Sequence, residues 1–441
     1  MSGPELATTI PAVYAERRLR LAQAMQRGVA VVATAPERLR SRDSHYAYRY
    51  DSYFYYLTGF PEPEAVLVVI AGKPAKSVLF CRERDVEREI WDGFRHGPEQ
   101  ARIRFGFDES QPISALDALL PRLLADQPRL YCHLDGGDEA WNRRVLGWID
   151  AVRAQTRSGV TAPAAMHDVR TLLDEMRLVK DSHELAAMRR SAQIAAGAHQ
   201  RAMRAVKPGS TEYEIEAELL HEFRRRGAQA PAYTPIVAGG ANACVLHYVR
   251  NDAALQAGEL LLIDAGCELD GYASDLTRTF PVSGQFTPLQ RDLYQMVLAA
   301  QAAAIAAVGP GAAWIAPHDA AVRVLAQGFV DFGLCAGSVE QVIETGDYKR
   351  FYMHRTGHWL GLDVHDAGDY KRDGQWRALA PGMVLTVEPG CYIRPANNVP
   401  ERFWNIGIRI EDDVLVTTGG SEVLTQAAPK TVTDIEALMR G

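Results

Sequence analysis

The sequence predicts an α/β domain over residues 1–173, followed by a larger α+β domain over residues 174–441. Three observations carry this. Short apolar strands alternate with helices in the front part. From Asp181 onward, long helices carry explicit N-terminal capping signals. Behind those helices come apolar strands that end in acids.

In the front domain, Val29 to Ala33, Ala65 to Ala71, Val78 to Cys81 and Leu130 to Leu134 are apolar or β-branched runs of strand length. Gly72-Lys73-Pro74 marks a turn between the second and third. Arg17 to Met25 and Ile113 to Leu124 read as helices. In the second domain, Asp181 and Glu184 have capping-box spacing ahead of an Ala-rich helix. Thr211 and Glu214 repeat the signal. Ile215, Leu219 and Phe223 then form one apolar face, and Gly227 is a stop. Thr287-Pro288-Leu289-Gln290 starts a third helix, with Pro at its first position. Ala205-Val206-Lys207-Pro208-Gly209 is echoed by Ala307-Val308-Gly309-Pro310-Gly311, each lying between two helices. A duplication would bring the acidic strands of two similar halves to one central site.

Composition sets the outer limits. Hydrophobic residues make up 47%, charged residues 23%, and the net charge is −7. This is ordinary for a globular protein and opposes a dedicated nucleic-acid binder. No apolar run reaches the ~20 residues of a membrane helix. The first twenty-one residues lack the pattern of a secretory signal. The six cysteines show no CxxC pair and read as isolated thiols in a reducing cytoplasm.

The chemistry concentrates in four segments. Leu260 to Ile263 is a buried-type strand ending in Asp264. If Asp270-Gly271 forms a two-residue hairpin turn, residue 264 pairs with 277, and Asp264 and Asp275 become diagonal neighbours on one face. Met383 to Val387 is a second such strand, ending in Glu388. In the third, Ile406, Ile408 and Ile410 take one face and Gly407, Arg409 and Glu411 the other, with Gly407 leaving room beside Glu411 and Arg409 able to orient it. The fourth holds His354, His358 and His365. Gly357 and Gly361 oppose a regular helix there, and a helical zinc motif is absent. Two carboxylates facing each other repel unless a proton or cation intervenes. Asp264, Asp275, Glu388 and Glu411 balance two divalent cations. One imidazole completes an oxygen-rich set suited to Mn²⁺, with Co²⁺ and Zn²⁺ as alternatives. Such a pair activates a bridging water as hydroxide.

Asp264, Asp275, His358, Glu388 and Glu411, in that order, resemble the ligand pattern of the pita-bread metallopeptidases. The strings LLLIDAGCELDGYASDLTRTF, MHRTGHWLGLDVHD, LTVEPGCYI and GIRIEDDVLV resemble the aminopeptidase P branch, and DSYFYYLTGF with EPEA resembles its N-terminal domain. The resemblance spans nearly the whole chain. It implies a pita-bread catalytic domain of the creatinase/aminopeptidase type. It implies hydrolysis of the bond between an N-terminal residue and a following proline by a metal-bridged hydroxide, on peptide substrates with proline at position two. It further implies that the five residues are metal ligands, with Glu388 also the proton shuttle. His247 and His365 line the substrate site and stabilise the oxyanion, and His354 and Arg409 support the ligands from behind. His365, Tyr392 and the aromatic N-terminal segment are candidates for a proline-ring pocket. Relatives imply a homo-oligomer, dimer or tetramer, built through the N-terminal domain, with Trp91 reaching a neighbour's site. Arg355 and Gly357 occupy positions that vary in the family. The alternatives are an Xaa-Pro dipeptidase (prolidase), a non-catalytic pita-bread peptide-binding module, and a metal-free creatinase-type hydrolase, which the intact acids oppose. Neither nucleic acid nor membrane is an expected partner.

Overall fold

The computed structural model describes residues 12–134 and 139–441. The opening of the N-terminal segment read for a secretory signal, residues 1–11, lies outside the described residues. The chain separates into two units, Met1–Met176 and Arg177–Gly441. The division falls inside the helix Arg170–Leu178, and so does the expected boundary at 173/174.

In the first unit a six-stranded mixed sheet forms, because four of its strands are apolar enough to be buried. Gly28–Ala33 pairs antiparallel with Val66–Ala71 and parallel with Arg129–Cys132. Lys76–Cys81 extends one edge, and Glu109–Pro112 closes it. Ala165–Asp168 closes the other. The helices Leu116–Leu124 and Glu139–Arg153 pack Leu116, Leu120, Leu124, Trp148 and Ile149 against the sheet core. Ser52–Thr58, within the aromatic segment, is a helix: Asp51 accepts the Phe54 N–H at 2.8 Å, and Gly59 ends it at φ +61°.

In the second unit the capping boxes at Asp181, Thr211 and Thr287 all form and open the helices Ser182–Ala205, Glu212–Arg225 and Pro288–Ala306. The two Pro-Gly echoes behave alike. Gly209 has φ +90° and Gly311 φ +85°, and each leads into the second helix of a packed pair. Each pair is followed by antiparallel strands, as a duplicated architecture requires. In the first half Ile236–Gly239, Leu260–Asp264 and Thr277–Pro281 form one sheet. In the second, Val384–Val387 pairs with Asp412–Thr417, and Gly390–Ile393 with Ile406–Arg409. A single apolar core runs beneath both halves.

Candidate metal centre and substrate cavity

The hairpin between Asp264 and Asp275 forms with the expected register. Asp264 pairs with Thr277, and Leu269 pairs with Tyr272 across the Asp270-Gly271 turn. Asp270 and Gly271 have φ of +51° and +82°, the twist a two-residue turn needs. The strands are tightest at Gly266, where a Cβ would lie 1.6 Å from the Ser274 carbonyl oxygen. No other residue fits there without spreading the two aspartates. Glu388 follows directly on the Val384–Val387 strand, and Glu411 follows the Ile406–Arg409 strand. The segment 353–366 is non-helical. Its Gly357 lies against the Thr386 carbonyl, where a Cβ would come within 2.0 Å, and this seats His358 beside the glutamate strand.

These elements open into one cavity of about 990 Å³, lined by Asp264, Asp275, His358, Glu388 and Glu411, and also by His247, His354, His365 and Arg409. Asp275, His358 and Glu411 each offer a ligand atom within 4.8 Å of the others. His358 Nε2 is 3.3 Å from Asp275 Oδ2 and 3.7 Å from Glu388 Oε1. The Tyr233 hydroxyl is 2.5 Å from Oδ1 of both Asp264 and Asp275. One hydroxyl proton can serve only one of those oxygens, so this crowd of acids needs further positive charge.

The electrostatics agree. Burial, then Asp275, Glu388 and Asp264, push the Glu411 carboxyl well above its usual range. Burial, with Asp275 and Asp264, lifts Glu388 to about 7. Burial alone would lower His358, but the hydrogen bond and charge of Asp275 outweigh it and hold the imidazole up to about 9. The donor set is four carboxylates and one imidazole, mainly hard oxygen ligands whose negative charge Arg409 offsets only in part. It fits divalent cations.

The surrounding groups differ in part from expectation. Arg409 reaches Glu411 through its charge and through Thr277, and not by a direct hydrogen bond. Its Nη2 donates to Asp264 Oδ2 at 2.6 Å, and its Nε to Thr277 Oγ1 at 3.2 Å. Glu411 is instead held by the Thr277 hydroxyl at 2.6 Å, because Thr277 sits between the two on the neighbouring strand. Gly407 leaves room for the Ala243 carbonyl, which a Cβ would meet at 2.4 Å. Tyr392 is not a pocket wall. Its ring is buried, and its hydroxyl accepts from Arg409 Nη1 at 2.9 Å and donates to His354 Nε2 at 2.8 Å. His354 Nδ1 donates to the Arg355 carbonyl at 2.7 Å. Burial and the nearby Arg409 push His354 down to about 3, so it is a neutral link between the arginine and the histidine segment. His365 packs edge-on to His358, with ring centroids 4.3 Å apart.

Sequence reasoning missed Tyr233 and Thr277, and it missed the aromatic walls Trp314, Tyr370 and Trp376. It also missed what lies behind the site. Arg278, fully buried, donates to the carbonyls of Glu411 (2.6 Å) and Thr277 (3.0 Å) and to Asp412 Oδ1 (2.7 Å).

Comparison with known proteins adds the following. Residues 186–418 match the model of metallopeptidase family M24, and residues 14–131 match that of the aminopeptidase P N-terminal domain. The chain is 45% identical to an Xaa-Pro aminopeptidase of Escherichia coli, with 97% of each chain covered. It is 34% identical to human Xaa-Pro aminopeptidase 3, covering 96% of this chain and 85% of that one. The structure of the Pseudomonas aeruginosa aminopeptidase PepP superposes with a TM-score of 0.96 at 50% identity, over 98% of both chains. Zinc-substituted aminopeptidase P from E. coli, in complex with product, superposes at 0.95 with 44% identity, over 98% of this chain and 99% of that one.

Proposed function

Since the chain belongs to metallopeptidase family M24, and to its aminopeptidase P branch, we infer that it is an Xaa-Pro aminopeptidase whose chemistry is done in the cavity between Asp264 and Glu411. The observation that carries this reading is the convergence of four acids and one histidine, from three sheets and a glycine-held loop, on one cavity.

The enzyme uses divalent metal ions, as its family does. We assign Asp264, Asp275, His358, Glu388 and Glu411 as the groups that hold two of them, with Mn²⁺ as the working ion and Co²⁺ or Zn²⁺ as substitutes. When bound, the ions supply Lewis-acid activation of a water and of the scissile carbonyl. Arg409 and Tyr233 fix the Asp264 carboxylate, and Thr277 fixes that of Glu411, so both oxygen pairs are presented in one orientation. Glu388 takes the proton of the attacking water on a carboxylate oxygen and delivers it to the departing proline nitrogen. Thr386 Oγ1 at 3.4 Å and His354 at 3.6 Å flank that carboxylate. His247 and His365 donate to the carbonyl oxygen as it gains charge.

The bond before proline is a tertiary amide with no N–H. A site that reads substrate as a strand needs that N–H. A site walled by Trp314, Tyr370 and Trp376 can read ring shape instead. The cavity is at the upper end of the range for small-ligand sites, which favours peptides longer than the dipeptides of a prolidase.

We further propose a homo-oligomer, dimer or tetramer, formed through the N-terminal unit. Val86, Ile90, Trp91 and Phe94 are 71%, 78%, 83% and 57% exposed on one helix and the residues after it, and so many exposed apolar groups call for a cover. A cytoplasmic location is supported by the six cysteines, all unpaired and buried. No described helix is long and apolar enough to cross a membrane.

Cleavage of Arg-Pro-Pro and of Ala-Pro, with and without chelator, tests the reading. It predicts metal-dependent release of arginine from the tripeptide and slower turnover of the dipeptide. Sedimentation showing a monomer at micromolar concentration would remove the oligomer.

A further inference from the structure

The floor of the cavity is anionic, but its rim is not. Arg355 and Lys371 both line the cavity, and both are exposed. Lys371 Nζ sits 4.2 Å from the centroid of the Trp376 ring, its partner across a short hairpin, and the Arg355 guanidinium sits 5.8 Å from the same ring. Two cations therefore share one aromatic plate, which holds them near the cavity although neither has an anionic partner. Among the described residues, neither makes an ion pair within 4.0 Å. Among the described residues, Asp369 is the one carboxylate that lines the cavity outside its floor, and it pairs with neither. Asp319 feels the charge of Arg355 without contacting it. With Arg355 and Lys371 set against Asp369, the lining outside the floor carries net positive charge.

Both cations are tied closely to the floor. Arg355 is three residues from His358. Lys371 follows Tyr370, whose hydroxyl accepts the Trp359 N–H at 3.4 Å, one residue beyond His358. An enzyme that removes the first residue binds the free amine at the floor, so the rest of the peptide must leave past the rim. An extended chain advances ~3.5 Å per residue, which puts the group beyond proline ~7 Å from the scissile carbon. A cavity of about 990 Å³ is about 10 Å across, so that group lies within about a side chain's length of the rim.

We propose that Arg355 and Lys371, braced on Trp376, form a carboxylate-selecting rim that favours substrates bearing an acidic group one residue beyond the proline. This rests on the Xaa-Pro aminopeptidase reading and adds a substrate class to it. The carboxylate has two sources, the free C-terminus of a tripeptide or an Asp or Glu side chain at the third position of a longer peptide.

The test uses the full-length, Mn²⁺-loaded enzyme and two matched pairs of peptides. One pair is Ala-Pro-Ala and its C-terminal amide. The other is Ala-Pro-Glu-Ala-amide and Ala-Pro-Gln-Ala-amide. The acidic member is expected to have about fivefold higher kcat/KM, the size two partly exposed ion pairs supply. The ratio should fall toward one in the double variant R355A/K371A, return in R355K/K371R, and shrink in half-molar salt. A preference confined to the first pair assigns the rim to the terminal carboxylate, and one confined to the second assigns it to an acidic side chain. Equal kcat/KM within both pairs, or a ratio that survives R355A/K371A, overturns the proposal. Failure to cleave any of the four peptides overturns the aminopeptidase reading itself, and the rim proposal with it.

Discussion

Replacing Arg278 with Met tests whether the site depends on a buried polar support. The Arg278 side chain is fully buried and makes five hydrogen bonds. Its removal strands the carbonyls of Glu411, Ala428 and Pro429, while Thr277 O keeps the Glu411 N–H at 3.1 Å. Asp412 retains Lys430 at 2.6 Å and Thr425 at 2.7 Å, so its charge is not orphaned. Breaking a buried pair costs about 3–5 kcal/mol, and the surviving lysine argues for the lower end, about 3 kcal/mol. For a unit of this size that is about 6–12 °C in Tm, read by calorimetry on the full-length chain. The double variant R278M/D412L should recover about half of the loss, because Lys430 is 28% exposed and can turn to solvent. Since Arg278 also pins the Glu411 carbonyl, R278M should weaken Mn²⁺ affinity by about tenfold. A loss below about 1 kcal/mol, or strict additivity in the double variant, would refute the reasoning.

Glu388→Gln should lower kcat by at least about 10³-fold in a peptide-release assay while circular dichroism stays unchanged, and near-normal turnover would remove the shuttle role. Gly266→Ala forces the Cβ into the Ser274 carbonyl and should cost about 3 kcal/mol or prevent soluble expression, measured by urea denaturation. The fully buried Asp366 is penalised by burial, but Lys180 at 2.9 Å and Arg177 at 2.5 Å hold its carboxyl below the usual range. Its stabilisation is therefore complete above the unfolded value of ~3.9 and is lost as pH falls through the folded value. Asp366→Asn should lower Tm at neutral pH and flatten its fall below about pH 4, and parallel pH profiles for variant and parent would contradict this.

What the sequence made legible follows from which signals are local. The Asp264–Asp275 register could be read because Asp270-Gly271 forces a two-residue turn, and the side-chain period of two does the rest. The helix starts at Asp181, Thr211 and Thr287 were legible because capping is decided within four residues. Strands 109–112 and 165–168 were not. Their sequences, ESQP and AMHD, lack apolar runs, and they are strands only because the sheet edge is there to pair with. The helix Ser52–Thr58 hid behind β-forming aromatic residues, although Asp51 and Gly59 marked both of its ends. At the site, chemistry-bearing residues stood out, but their partners did not. Tyr233 and Thr277 reach their acids across separate strands, and Arg409 turns to Asp264 although Glu411 is nearer in sequence. No spacing rule encodes such contacts between distant segments.

The proposed chemistry requires Asp264, Asp275, His358, Glu388 and Glu411 to enclose two divalent cations. Crystals of the full chain equilibrated with Mn²⁺ and measured at the manganese absorption edge test this directly. Two anomalous peaks about 3.5–4 Å apart, bonded between them by the Asp264, Asp275, His358, Glu388 and Glu411 side chains, are the expected result. Peaks elsewhere, or none at saturating Mn²⁺, would contradict it.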